Sequence, residues 1–310
     1  MTARLETAKP ASFQRLTVLG LGLLGGSVAW AARARRVAGE VVGCGRRSEP
    51  LRAAQARGLV DRVTTDPAEA VAGADLVVLA SPVGAMAGLL RTAAPALQPG
   101  ALVTDVGSVK SVLAETLAGL LPPGVVFVGA HPMAGSHEKG PEHARADLLD
   151  GATCVVTPVP GNPPEAVARV EAFWSALGAR VVRRDAATHD LEVAWISHVP
   201  HALAFAFARA LGDAPPDAGE VAGTGFRDFT RIAQSDPELW AEILVANRKA
   251  IEGPVARVAE RLAELARAIE SGDVEEVDRW IAEARASLGA HDRRRISPDP
   301  EAKIRRPGHA

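Results

Sequence analysis

The stretch Leu16-Thr17-Val18-Leu19-Gly20-Leu21-Gly22-Leu23-Leu24-Gly25 decides the fold. A short apolar run ends in three glycines spaced G-x-G-x-x-G, and an Ala-rich helical segment at 24–36 follows at once. That is the strand–turn–helix context in which the pattern marks a dinucleotide site. Gly20 permits the tight turn, Gly22 lets backbone approach a pyrophosphate, and Gly25 lets helix and strand pack closely, with Leu23 and Leu24 opening the helix. The phosphates then lie on a helix N-terminus, where unpaired N–H groups and the helix dipole favour negative charge. The competing reading is a plain structural turn.

Outward from this loop, short apolar runs at 41–44, 76–80, 102–106, 125–128 and 154–156 alternate with helical segments at 51–57, 84–94 and 111–121. Strands that are apolar throughout are buried on both faces, as in a parallel sheet covered by helices. A helix at 165–177 and a short strand at 180–182 complete a doubly wound, Rossmann-type α/β domain over 1–183. After Asp185 the strand pattern stops. The segment 188–211 is helical and apolar nearly all round, which suits either the middle of a bundle or an oligomer interface. Further helices are expected from Ser235-Asp236-Pro237-Glu238, where Ser235 and Glu238 form a capping box, and over 254–269 and 274–288. Thus an all-helical domain over 184–290 follows the sheet domain, and a basic, flexible tail occupies 291–310.

Composition narrows the function classes. A net charge of −2 gives no general attraction to nucleic acid or to an anionic membrane. No apolar run approaches the ~18 residues of a membrane span, and residues 1–14 lack a signal-peptide pattern, so a cytoplasmic protein is expected. Cys44 and Cys154 lie in apolar strands and are expected as buried free thiols. No metal-ligand spacing occurs.

The cofactor's sugar is read at the end of the second strand, Val42-Gly43-Cys44-Gly45-Arg46-Arg47. NAD calls for an acid there to hold the ribose 2′-hydroxyl. This chain has no acid until Glu49 and instead offers Arg46 and Arg47, suited to a 2′-phosphate, so NADP is favoured with NAD left open; the competing reading is a solvated loop with surface arginines. Other strand ends carry Ser81-Pro82-Val83, Asp105-Val106-Gly107-Ser108-Val109-Lys110 and His131-Pro132-Met133-Ala134-Gly135-Ser136-His137. Ligands bind at this edge of an open α/β sheet. His131 is placed where a proton acceptor is needed beside a nicotinamide. On the long apolar helix Ser197, His198 and His201 break the hydrophobic surface and require partners, in the core or in a ligand. Arg227 and Arg231, beside Phe226 and Phe229 in a segment joining two helices, are suited to gripping carboxylates. For Arg227 an ion pair with Asp228 is the competing reading.

Residues 20–27, 105–110, 131–136, 197–201 and 225–231, followed by Ser235-Asp236-Pro237 and Trp240, together resemble the prephenate/arogenate (cyclohexadienyl) dehydrogenases of tyrosine biosynthesis. The resemblance spans about 16–288. It implies NAD(P)-dependent oxidative decarboxylation of prephenate to 4-hydroxyphenylpyruvate, of arogenate to tyrosine, or of both, by a homodimer joined through the helical domain. It assigns His131 as acceptor of the ring hydroxyl proton with Ser108 beside it. It makes Arg231 the carboxylate-binding arginine and Ser136, Ser197 and His201 substrate contacts. His137 stands where relatives carry an acid or a histidine, so it bears on substrate preference. Two other readings compete. A β-hydroxyacid dehydrogenase wants a catalytic lysine on the helical domain, where this chain has histidines. A non-enzymatic NADP-sensing module has no need of His131, Ser108 and Arg231 at one cleft.

Overall fold

The computed structural model describes residues 13–135 and 138–295, with side chains through 291. Ser136, His137 and residues 296–310 of the basic tail lie outside the described residues. The chain forms two compact units that divide after Ile251.

The first unit opens with β1 (Phe13–Leu19), α1 (Leu23–Ala34), β2 (Ala38–Cys44), α2 (Ser48–Ala56), β3 (Arg62–Thr64) and α3 (Pro67–Val71). It continues through β4 (Leu76–Leu79), α4 (Val83–Ala93), β5 (Leu102–Asp105), α5 (Ser111–Ala118) and β6 (Val126–Phe127). These six strands form one parallel sheet in the order β3-β2-β1-β4-β5-β6. The order reverses between β1 and β4, and at such a switch point the strand ends leave a crevice. Leu16, Val18, Val41, Leu76 and Val78 fill one face of the sheet, while Leu19, Val42, Val77, Leu79 and Val103 fill the other. This two-sided burial is why the strands read as continuous apolar runs.

The apolar run 125–128 is split. After β6 the chain leaves the first sheet and forms β7 (Gly129–Pro132), which pairs antiparallel with β8 (Thr153–Thr157). The helix α6 (Pro164–Ala176) leads to β9 (Arg180–Arg183), parallel to β8. A second, three-stranded sheet thus carries His131 on its edge strand. Cys44 and Cys154 are buried free thiols, as expected.

Helices α7 (Ala186–Val193) and α8 (Val199–Ala210) are one continuous rod interrupted by a π turn at Ala194–His198. Pro200 explains the interruption, because it has no N–H to offer the carbonyl four residues back. The Val199 N–H bonds Ala194 O, one residue further back than in an α-helix. The expectation that no segment reaches membrane-spanning length is corrected here. Ala186–Asp213 is long and apolar enough by length and composition. It nevertheless buries His189, Asp190 and His198 within the protein.

The segment expected to be a joining loop is instead helical: α9 (Thr224–Thr230) with Arg231 in the short turn that follows. Arg227 donates to Ala222 O rather than pairing with Asp228. The capping box is also corrected. Asp236, not Ser235, caps α10 (Pro237–Ala246), its carboxylate accepting from Glu238 N. The helix expected from Pro254 begins earlier, as α11 (Arg248–Ser271), with Pro254 inside it. Beyond Ile251, the second unit consists of the rest of α11 and α12 (Val274–Arg295), joined at Gly272 in the left-handed region. Leu262, Ile269, Ile281 and Leu288 are exposed on it.

Candidate active site

The glycine turn behaves as its spacing requires. Gly20 has φ 112° and donates to Cys44 O at 2.8 Å, tying the turn to the end of β2. A Cβ on Gly20 would sit 2.6 Å from Ala80 O, and one on Gly25 would overlap Gly20 O. A Cβ on Gly22 would meet nothing within 4 Å. Gly22 is the N-cap of α1 and faces open space, with no side-chain cap and no acid in the first turn. The unengaged amides of α1 therefore open to an anion.

They open into a cleft of about 750 Å³ lined by Gly20 and Gly22, by Arg46 and Arg47, and by Ser81 and Pro82. Val83 begins α4 beside it. Arg46 and Arg47 are exposed and have no ion-pair partner among the described residues. Of the carboxylates near the end of β2, Asp66 caps α3 through Ala68 N and Glu69 accepts from Thr64, while Glu49 is exposed in the first turn of α2. The bare amides of α1 and the cationic far end fit a dinucleotide. Its pyrophosphate would be held at Gly22 and its adenosine half near Arg46 and Arg47, and its nicotinamide would supply a hydride acceptor.

The polar centre is built around β5 and β7. Asp105 and Lys110, at the end of β5 and the start of α5, form a buried ion pair. Asp105 also accepts from Gly107 N at 2.8 Å and Ala130 N at 3.0 Å, and Lys110 donates to Ala130 O at 2.7 Å. The two charges are thereby matched and hydrogen-bonded by Gly107 of the loop and Ala130 of β7, which offsets the cost of burying them. The pair fastens the loop carrying Ser108 to the strand carrying His131. Ser108 is half-buried, and its hydroxyl has no hydrogen-bond partner among the described residues.

His131 is 8% exposed, and its Nδ1 lies 2.9 Å from Nε2 of His189. His189 is fully buried, and its Nδ1 lies 2.8 Å from Asp190 Oδ1. Asp190 accepts in addition from Lys110 N and Ser111 N, at 2.7 and 2.8 Å. Burial alone would raise the Asp190 carboxyl, but the hydrogen bonds from His189, Ser111 and Lys110 hold it below the ordinary carboxylate range. Burial, with His189, Lys110 and His198 nearby, pushes His131 well below the usual histidine value. At neutral pH its imidazole is uncharged and able to take a proton.

Beyond the π turn, His201 stacks on Trp240 of α10 with ring centroids 3.6 Å apart and donates from Nδ1 to Ser197 O at 2.8 Å. Its value is lowered by burial, against the Ser197 hydrogen bond and with the charge of Arg231 adding to the effect. Arg231 is exposed and has no ion-pair partner among the described residues. The Ser197 side chain is half-buried on the same turn. His198, by contrast, is a core residue. Its Nδ1 accepts from Asn247 Nδ2, which also donates to Asp190 O, and burial takes it down to about 4.

The structure therefore brings the glycine turn, Arg46, Arg47, Ser81 and Pro82 to one cleft, and His201 beside Trp240 and Arg231. Ser136 and His137 belong to the stretch outside the described residues. Lys139, just after them in sequence, pairs with Asp236, the N-cap of α10, at 2.9 Å. The sequence reading missed His189 and Asp190. Their one signal was a His-Asp pair near the start of the long, largely apolar helical segment.

The chain matches the model of the prephenate dehydrogenase nucleotide-binding domain over residues 28–183 and that of the prephenate dehydrogenase dimerization domain over 185–283. It belongs to the prephenate dehydrogenase family. Among curated relatives of this dehydrogenase is the cyclohexadienyl dehydrogenase of Zymomonas mobilis, 35% identical over 267 residues, which cover 84% of this chain and 90% of the relative. Among solved structures it is similar to Aquifex aeolicus prephenate dehydrogenase in complex with hydroxyphenyl propionate and NAD+. That match has 30% identity and TM-score 0.82 and covers 89% of this chain and 98% of the other. It is also similar to Synechocystis arogenate dehydrogenase, with 30% identity, TM-score 0.76, and 89% and 99% coverage. This dehydrogenase is an NAD(P)-dependent oxidoreductase of the kind that performs oxidative decarboxylation in tyrosine biosynthesis.

Proposed function

We propose that the substrate is prephenate, arogenate or both, with His131 accepting the ring hydroxyl proton and Arg231 binding a carboxylate. The observation that carries this reading is His131 itself. It is a neutral imidazole held from Nδ1, with no partner for Nε2 among the described residues. The substrate's ring carbon gives up a hydride while its hydroxyl proton passes to His131 Nε2. The bond from the ring to its carboxylate breaks, carbon dioxide leaves, and that electron pair aromatises the ring. The phenolate oxygen then takes the proton back. Aromatisation supplies the drive, so the chain's residues act by positioning and by supporting charge. Ser108 hydrogen-bonds the same hydroxyl. Ser197 and His201, and by the family resemblance Ser136 and His137, contact the remainder of the substrate.

The test is a spectrophotometric assay that crosses prephenate and arogenate with NAD and NADP. Reduction of cofactor with at least one substrate is expected, and none with either overturns the reading.

For the cofactor, NADP is favoured over NAD, supported by two arginines at the cleft that have no ion-pair partner among the described residues. A charge-assisted hydrogen bond to a 2′-phosphate is worth about 1.5–3 kcal/mol. Arg46→Ala is therefore expected to weaken NADP by about tenfold or more while NAD stays within about twofold. Equal effects on the two, measured by titration, would return Arg46 to the solvated surface. The protein acts in the cytoplasm as a homodimer through its helical domain. Leu191, Trp195, Ile196 and Phe207, exposed along α7, the π turn and α8, support this assembly.

A further inference from the structure

Resting on the proton-accepting role of His131, we propose that His189 and Asp190 form a relay that fixes the tautomer of His131 and supports its charge as it takes the substrate proton. The argument begins at the far end. Asp190 is an ionised carboxylate already receiving Lys110 N and Ser111 N, so it only accepts. The His189 Nδ1 facing it at 2.8 Å therefore carries the hydrogen. A neutral ring with hydrogen on Nδ1 has a bare Nε2, and that Nε2 lies 2.9 Å from His131 Nδ1. His131 Nδ1 consequently donates, and its own Nε2 is left bare. Each tautomer follows from the one before, and the last is the form that a proton acceptor requires.

The groups around His131 fit this assignment. His189 comes from α7, His198 from the π turn, and Lys110 and Asp105 from the β5–α5 connection. From β8, Cys154 lies opposite Pro132, next to His131, in the β7–β8 ladder. Among the described groups facing the His131 ring, only His189 offers a hydrogen-bonded path toward an anion. When the substrate O–H breaks and its proton reaches His131 Nε2, the new positive charge is shared through His189 toward Asp190. Lys110 cannot do this, because it is a cation matched to Asp105. The reaction returns the proton to the product oxygen, so the relay needs no outlet to solvent. This is consistent with His189 being fully buried. His189 and Asp190 are positioning residues, acting through His131.

Two measurements test the relay. In the ¹⁵N-labelled wild-type protein at neutral pH, long-range imidazole correlations are expected to show hydrogen on Nδ1 and a bare Nε2 for both His131 and His189. Hydrogen on His131 Nε2 overturns the proposal. This needs no substrate, so it stands apart from the assay above, whose failure would sink the proposed reaction alone. It also needs no variant, so it decides even if substitution prevents folding. In the second, His189→Ala is expected to lower kcat about a hundredfold with substrate KM within about threefold. Imidazole entering the vacated space is expected to restore about tenfold. A kcat within about threefold of wild type, or a loss that imidazole does not relieve, assigns His189 to packing and overturns the relay.

Discussion

Replacing His131 with Asn is expected to lower kcat about a thousandfold, within the range spanned by general acid–base groups. Asparagine can still hydrogen-bond a substrate hydroxyl but cannot take its proton, so KM should move little. Retention of turnover within tenfold of wild type, ~1.4 kcal/mol of barrier, would remove the assignment. The pH profile gives an independent check. Burial and the neighbouring His189 and Lys110 depress His131, so its neutral, accepting form persists below the usual pH of 6.5. Activity is lost only as pH falls through the depressed value. The acid limb of kcat/KM belonging to His131 should therefore lie below pH 6.5, and a limb at or above it would contradict the buried environment.

Arg231→Ala is expected to raise substrate KM about a hundredfold, ~2.7 kcal/mol, with cofactor affinity unchanged. The guanidinium is exposed and has no ion pair among the described residues, so its removal breaks nothing within the fold. The melting temperature should accordingly be unaltered. Arg231→Lys should recover only part of the loss, because an ammonium lacks the planar fork that meets a carboxylate with two hydrogen bonds. An unchanged KM in the alanine variant would take Arg231 out of the substrate site. A parallel loss of cofactor binding would place it at the cleft instead.

What could be read from the sequence was whatever local chemistry dictates. The glycine spacing forces a tight turn and a close helix, and both are present at Gly20 and Gly25. Strands buried on two faces announce themselves by unbroken apolar runs, so β1, β4 and β5 were visible. The three-residue β3 was not, since Arg62-Val63-Thr64 has neither length nor an apolar run. The passage from β6 to β7 was hidden because a single residue, Val128, separates two sheets inside one apolar stretch. Ser235 was a reasonable cap, but Asp236 stands one residue nearer the helix and carries the stronger acceptor. His131 was recognisable from its strand end. Its partner His189 lies 58 residues away, and only the packing of α7 against the β5–α5 connection brings them together.

The π turn has a geometric consequence for that packing. A regular helix advances about 100° per residue, so His189 and His201 on an unbroken α-helix would point about 120° apart. His189 and His198 would lie on opposite sides. The wider turn at Ala194–His198 takes up about one extra residue, which winds the following helix back by about 100°. The first pair is thereby brought to within roughly 20° of one direction, and the second to about a quarter turn. One rod can then give His189 to the base on β7, His198 to Asn247 and His201 to Trp240. The proline that breaks the ladder sets the angular phase of the active site.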